Sequence, residues 1–285
     1  MKYKEFNGPV EELVGMKLKE IEEKENVRIL HAVESGSRAW GFASPDSDYD
    51  VRFIYVRPLE YYLRLEAKPD FMDWELDETL DMNGWDLSKA LQHFHKSNAT
   101  LFEWVNSPVV YATTPEWKRA ADIAGDYFSC KSAMYHYYGT ANKNYHEYLK
   151  GEMVKYKKYF YVLRPLLACK WIEKKACPPP VLFQTLAEEV LEDSMKDTVQ
   201  DLVRKKTAMV EAEKGKRIDR LNDYIEDWLP YFKEKSEAMA DDRKKDWRKL
   251  NEIFAEYASG LCFRPCPAAA TGCGSGGITD YQGGA

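Results

Sequence analysis

Ser35-Gly36-Ser37-Arg38-Ala39-Trp40-Gly41 and, past a short Ser/Pro/Asp loop, Ser47-Asp48-Tyr49-Asp50-Val51-Arg52 form the stretch whose reading decides the fold. Residues 49–56 (YDVRFIYV) are β-branched and aromatic, which predicts a strand. Side chains of a strand alternate between its faces, so Asp48, Asp50 and Arg52 project to one side. Two carboxylates aimed at one point repel each other unless positive charge lies between them. A hard divalent cation with oxygen ligands, Mg²⁺ or Mn²⁺, is the usual answer.

Upstream, residues 27–34 (VRILHAVE) read as a second short strand. Gly36 and Ser37 then lie at a strand end, just before a helical turn through Arg38 to Phe42. Free backbone N–H groups at a helix start, with a glycine that permits close approach, bind anions. A phosphate cradle beside a metal-binding carboxylate pair is the layout of phosphoryl or nucleotidyl transfer.

The Gly36-Ser37 pair, ten intervening residues and Asp48-x-Asp50 together resemble the signature of the DNA polymerase β-like nucleotidyltransferases. The wider wording, SGSRAWGFASPDSDYDVRFIYV with the later GWDLSKAL, KSNATLFEW and KKYFYVLRP, resembles one branch, the RNA repair pathway DNA polymerase β family. The match runs over about residues 27–175 and more loosely to 257. It implies an α+β fold: a small mixed-sheet, polymerase β-like nucleotidyltransferase domain followed by an α-helical domain. It also implies a third carboxylate on a neighbouring strand, for which Asp81 and Asp86 are the candidates. Asp86 precedes Leu87, Ala90, Leu91 and Phe94 at helical spacing and reads as the N-cap of a helix. Asp81 has no such structural duty, and the branch pattern of an acid shortly before an aromatic (Trp85) and a lysine-bearing helix (Lys89) also favours it.

The remaining features bound the function. The 285 residues are 45% hydrophobic, enough for a sizeable core, and the net charge of −6 gives no global basic field. Any nucleic-acid contact must therefore use a local patch. No apolar leader and no membrane-spanning run is present in the sequence, which predicts a soluble, cytoplasmic protein. The six cysteines follow no disulfide framework. The last three fall in a Gly/Ala/Pro-rich, nearly uncharged tail, which reads as disordered. The five histidines lack ligand-like spacing.

Residues 9–26 place Val10, Leu13, Val14, Leu18 and Ile21 on one helical face. Strand 49–56 ends at Arg57-Pro58, residues 59–64 form a short helix, and 75–83 (ELDETLDMN) form a further strand. Asn98 caps a helix that Pro108 stops. From 115 the pattern is helical almost to the end, which divides the chain into a catalytic domain over 1–112, a helical domain over 113–260 and a tail over 261–285.

Within the helical part, Phe160, Leu163, Leu167 and Trp171 form an apolar stripe, and Lys157, Tyr161 and Arg164 share an adjoining face. Cations around an aromatic suit a triphosphate and a base, although a solvated face has the same spacing. The resemblance implies that this face contacts the incoming nucleotide. Arg38 and Arg52 either bind substrate or only neutralise the aspartates.

The expected reaction places Mg²⁺ on Asp48, Asp50 and Asp81, with Gly36, Ser37 and Arg38 holding the phosphates of a nucleoside triphosphate. An acceptor hydroxyl, which the family name implies is an RNA end, receives the nucleoside monophosphate, and pyrophosphate leaves. The alternatives are transfer to a small molecule or protein side chain, and a non-catalytic nucleotide-binding or antitoxin-like partner.

Overall fold

The computed structural model describes residues 3–44, 47–75, 79–208 and 214–260, so the tail expected to be disordered lies outside the described residues. Helix α1 (Val10–Glu25) leads into strand β1 (Arg28–Glu34), the turn-long helix α2 (Gly36–Ala39) and strand β2 (Tyr49–Val56). A short helix α3 (Leu59–Tyr62), strands β3 (Phe71–Glu75) and β4 (Leu80–Asp86), helices α4 (Leu87–His95) and α5 (Ala99–Val105) and strand β5 (Val110–Thr113) complete the sheet region. The chain continues as α6 (Pro115–Ala124), α7 (Cys130–Tyr148), a two-residue strand β6 (Met153–Val154) and α8 (Lys157–Lys175). It closes with α9 (Phe183–Val190), α10 (Asp193–Ala208), a partner strand β7 (Gly215–Lys216), α11 (Asp219–Ala238) and α12 (Arg248–Ser259).

The five-stranded sheet has the order β3-β4-β2-β1-β5 and is mixed: β2 and β4 are parallel, and the other pairings are antiparallel. This is the expected α+β architecture. One face packs on α1, where Leu13, Val14, Leu18 and Ile21 meet Val51, Phe53, Tyr55, Leu80 and Met82. On the other face Leu30, Ile54 and Val56 meet Leu87, Leu91, Phe94, Leu101 and Trp104. Asp50 and Arg52 have the parity of Ile54 and Val56, so they lie on this second face, at the strand end where the helical cover stops.

The strand expected over 75–83 is displaced: β4 covers 80–86, and β3, which was not expected, covers 71–75. Asp, Asn and Gly in LDMNGWD argue against a strand by propensity, but β4 lies between β2 and β3, and its side chains alternate between buried and half-buried. Gly84 suits that position, because a Cβ there would stand 2.2 Å from the Phe53 ring on the neighbouring strand.

Packing follows the chain less simply than a boundary at residue 112. Trp117 and Ala120 of α6 and Leu250, Ile253 and Tyr257 of α12 share the core of the sheet's second face. A separate helical core is built around α8 by α7, α9, α10 and α11, and Phe42 from the sheet region inserts into it. The stripe Phe160, Leu163 and Leu167 is fully buried there, as expected, with Trp171 only partly buried. Tyr159, Val162, Arg164, Leu166 and Ala168 are buried too, so that α8 is enclosed on all sides over residues 162–170. No helix among the described residues is long and apolar enough to cross a membrane.

Candidate active site

β1, α2, β2 and β4 assemble the site. Asp50 of β2 and Asp81 of β4 are direct partners in the parallel register. Arg52 sits between them, donating through Nη2 to Asp50 Oδ1 at 3.0 Å and to Asp81 Oδ2 at 2.8 Å. Asp48, two residues before Asp50, is exposed at the mouth of the strand. Burial pushes the Asp50 carboxyl above its ordinary pKa, the charges of Asp81 and Asp48 add to the shift, and Arg52 opposes it. Asp50 thus feels the charge of two further carboxylates.

Asp86 is placed differently. It is buried and caps α4, its carboxylate accepting from the Ser88 backbone N–H at 2.8 Å and from the Tyr62 hydroxyl at 2.9 Å. Four residues of β4 separate two acids of different duty: Asp81 at the open end of the strand, Asp86 at the closed one.

The cradle is tied to Asp50 through the backbone. Ser35 N–H donates to the Asp50 carbonyl at 2.8 Å. Gly36 follows with φ +60°, and a Cβ on it would lie 2.3 Å from Asp50 Oδ2, so both conformation and close approach require glycine. Arg38 turns away from the cradle. Its Nε donates to the Asp48 carbonyl at 3.0 Å, its Nη2 to the Ser47 carbonyl, and its guanidinium stacks 3.7 Å from the centre of the Tyr49 ring. It therefore fixes the loop that presents Asp48.

Glu34 was not anticipated. It is buried at the end of β1, accepts the Asp50 backbone N–H at 2.8 Å and the Tyr111 hydroxyl, and has its pKa raised chiefly by burial. A glutamate closing the strand RILHAVE, directly before the glycine motif, was the available signal.

The Lys157, Tyr161 and Arg164 face does not hold together. Arg164 is 2% exposed: Nη1 donates to Glu103 Oε1 at 2.8 Å, Nε donates to the Val181 carbonyl at 3.1 Å, and the guanidinium lies over the Trp40 ring. Tyr161 meets the Trp40 ring edge-on at 5.4 Å, and Lys157 lines a separate cavity at the start of α8. The spacing is that of one face, but the all-round burial of the middle of α8, residues 162–170, takes Arg164 out of reach of solvent. Trp40 also donates to Glu103, and Phe42 stacks on Phe160 at 4.4 Å, so the segment after α2 is clasped by the helical core.

The carboxylate oxygens of Asp48, Asp50 and Asp81 are the donor chemistry of a hard divalent cation, and the mutual repulsion felt by Asp50 fits such an ion. Among the described residues, no group of three His, Cys, Asp or Glu stands in ligating array. The Arg52 guanidinium fills the gap between Asp50 and Asp81.

Residues 10–256 match the model of the RNA repair pathway DNA polymerase beta family. The chain belongs to that family. As a member of the RNA repair pathway DNA polymerase beta family it is a polymerase β-like nucleotidyltransferase. The chain is also 42% identical over 241 residues to Uncharacterized protein YcgL of Bacillus subtilis (strain 168), a match covering 83% of this chain and 92% of that relative. A solved structure of a nucleotidyltransferase-like protein from Exiguobacterium sibiricum 255-15 aligns with 81% of this chain and 75% of its own, at 13% identity and a TM-score of 0.29.

Proposed function

We propose that the protein moves a nucleoside monophosphate from a nucleoside triphosphate to the hydroxyl of an RNA end, releasing pyrophosphate. The observation that carries this reading is the adjacency of Asp50 and Asp81 in the parallel register beside a glycine cradle moulded to Asp50. Asp48, Asp50 and Asp81 would hold Mg²⁺ or Mn²⁺, which when bound neutralises phosphate charge and lowers the pKa of a coordinated hydroxyl. The backbone at Gly36 and Ser37 orients the terminal phosphates. Glu34 fixes the Asp50 main chain, and Arg38 fixes the loop carrying Asp48. Arg52 holds Asp50 and Asp81 together against their mutual repulsion.

The experiment is incubation with each α-phosphate-radiolabelled nucleoside triphosphate, Mg²⁺ and short RNAs, beside Asp48→Ala/Asp50→Ala. Label on RNA only with the intact protein supports the reading. Pyrophosphate release without labelled RNA assigns the acceptor to a small molecule or protein side chain, and neither product refutes the reading.

A further inference from the structure

Lys150, Lys155, Lys157, Lys158 and Lys214 line one cavity of about 580 Å³ at the junction of α7, β6 and α8, with Tyr148 and Met153 on its walls and Glu147 as its single acidic lining residue. This is a marked local excess of positive charge in a chain of net charge −6. Lys158 lies 3.7 Å over the Tyr148 ring and 5.0 Å from the Tyr161 ring. Burial lowers its pKa and the charges of Lys157 and Lys155 lower it further, while Glu147 opposes the shift. The first turn of α8 carries Lys157 and Lys158 and no acidic side chain, at the helix end where the backbone dipole already disfavours cations. The short β6–β7 ladder pairs Val154 with Gly215 and so brings Lys214, from far along the chain, to the same rim. Lys150 pairs with Glu226 at 2.9 Å, and the excess of lysines over acids beside a helix N-terminus forms a surface whose stabilising complement is an anion.

Position decides which anion. Tyr161 connects the cavity to the catalytic side: one edge of its surroundings is Lys158, the other is Trp40, which follows α2 directly. The Tyr161 and Trp40 rings thus lie between the lysines and the segment that follows the Gly36-Ser37 cradle. The exposed Tyr148 ring, the half-buried Lys155, Lys157 and Lys158 and the exposed Lys150 and Lys214 suit a chain of phosphates with bases able to stack.

We propose that this lysine cavity binds the phosphate backbone of the single-stranded RNA acceptor, a few nucleotides back from its reacting end. The proposal rests on the RNA reading above. The full-length protein is titrated into a fluorescein-labelled oligouridylate over a range of KCl, and its affinity for Mg²⁺-nucleoside triphosphate is measured separately by equilibrium dialysis. The triple variant Lys155→Gln/Lys158→Gln/Lys214→Gln is expected to lose about tenfold or more in RNA affinity, with the slope of log affinity against log salt reduced by about two. Its nucleotide affinity stays that of the wild type, and the corresponding triple Lys→Arg variant keeps RNA binding. Unchanged RNA affinity and salt slope in the Gln variant overturn the proposal. Lost nucleotide affinity with RNA binding intact also overturns it and assigns the cavity to the triphosphate. Failure of the RNA reading itself shows elsewhere, as wild-type protein that transfers no label to RNA.

Discussion

Gly36→Ala separates the geometry of the cradle from the stability of the fold. The new Cβ would stand 2.3 Å from Asp50 Oδ2 and 3.2 Å from its Cγ, roughly 1 Å inside van der Waals contact. Asp50 has little room to yield through the main chain, because its N–H is held by Glu34 and its carbonyl by Ser35. The side chain must rotate, breaking its contact with Arg52. The backbone adds its own cost, about 1–2 kcal/mol for a non-glycine residue at φ +60°. At roughly 2–4 °C per kcal/mol for a chain of this size, that lowers Tm by several degrees and leaves the protein folded at 25 °C. A displacement of about 1 Å in a catalytic group costs about 10²-fold in rate. The assay is single-turnover label transfer beside thermal denaturation, with Gly15→Ala as control, since a Cβ at Gly15 meets nothing within 4 Å. A folded Gly36→Ala protein with activity within about threefold of wild type, against the hundredfold loss expected, refutes the reasoning.

Three other perturbations test the supports of the site. Glu34→Ala removes the acceptor of the Asp50 N–H and the Tyr111 hydroxyl and should cost about 2 kcal/mol in urea unfolding, whereas Glu34→Gln keeps an acceptor and should recover most of it; equal losses would show that Glu34 does not hold β2. Glu103→Ala strands the buried Arg164 charge and frees the Tyr137 hydroxyl, for an expected loss of about 3–5 kcal/mol; a Tm within a degree of wild type would contradict the ion pair. His31 is buried against Trp117, and burial holds its pKa down at about 4. Its folded pKa is below the unfolded one, so its contribution is complete above pH 6.5 and is lost as pH falls towards 4. Between pH 8 and pH 5 wild type should therefore lose about 2 kcal/mol that His31→Phe does not, and parallel pH profiles would refute this.

The local geometry was legible where residue spacing fixes it. Asp50 and Arg52 share a strand face because period two leaves no choice, and Asp86 showed itself as a cap because Leu87, Ala90, Leu91 and Phe94 follow at helical spacing. Long-range packing was not legible. Nothing within KKYFYVLRP says that the helix will be enclosed, so Arg164 looked like a surface cation and is buried against Glu103. Likewise β4 became a strand through its neighbours despite its composition, and α12 returns to the sheet from the far end of the chain. The lysine cavity was visible only as Lys155, Lys157 and Lys158, because Lys150 and Lys214 join through the α7 end and the β6–β7 ladder.

The most direct test of the account compares Asp81→Asn with Asp86→Asn in transfer of label from nucleoside triphosphate to RNA, both measured well below their melting temperatures. The register of β2 and β4 predicts that Asp81→Asn abolishes transfer at near wild-type stability, and that Asp86→Asn keeps transfer while lowering Tm through its weakened cap. Full activity in Asp81→Asn would contradict the assignment of the carboxylate site.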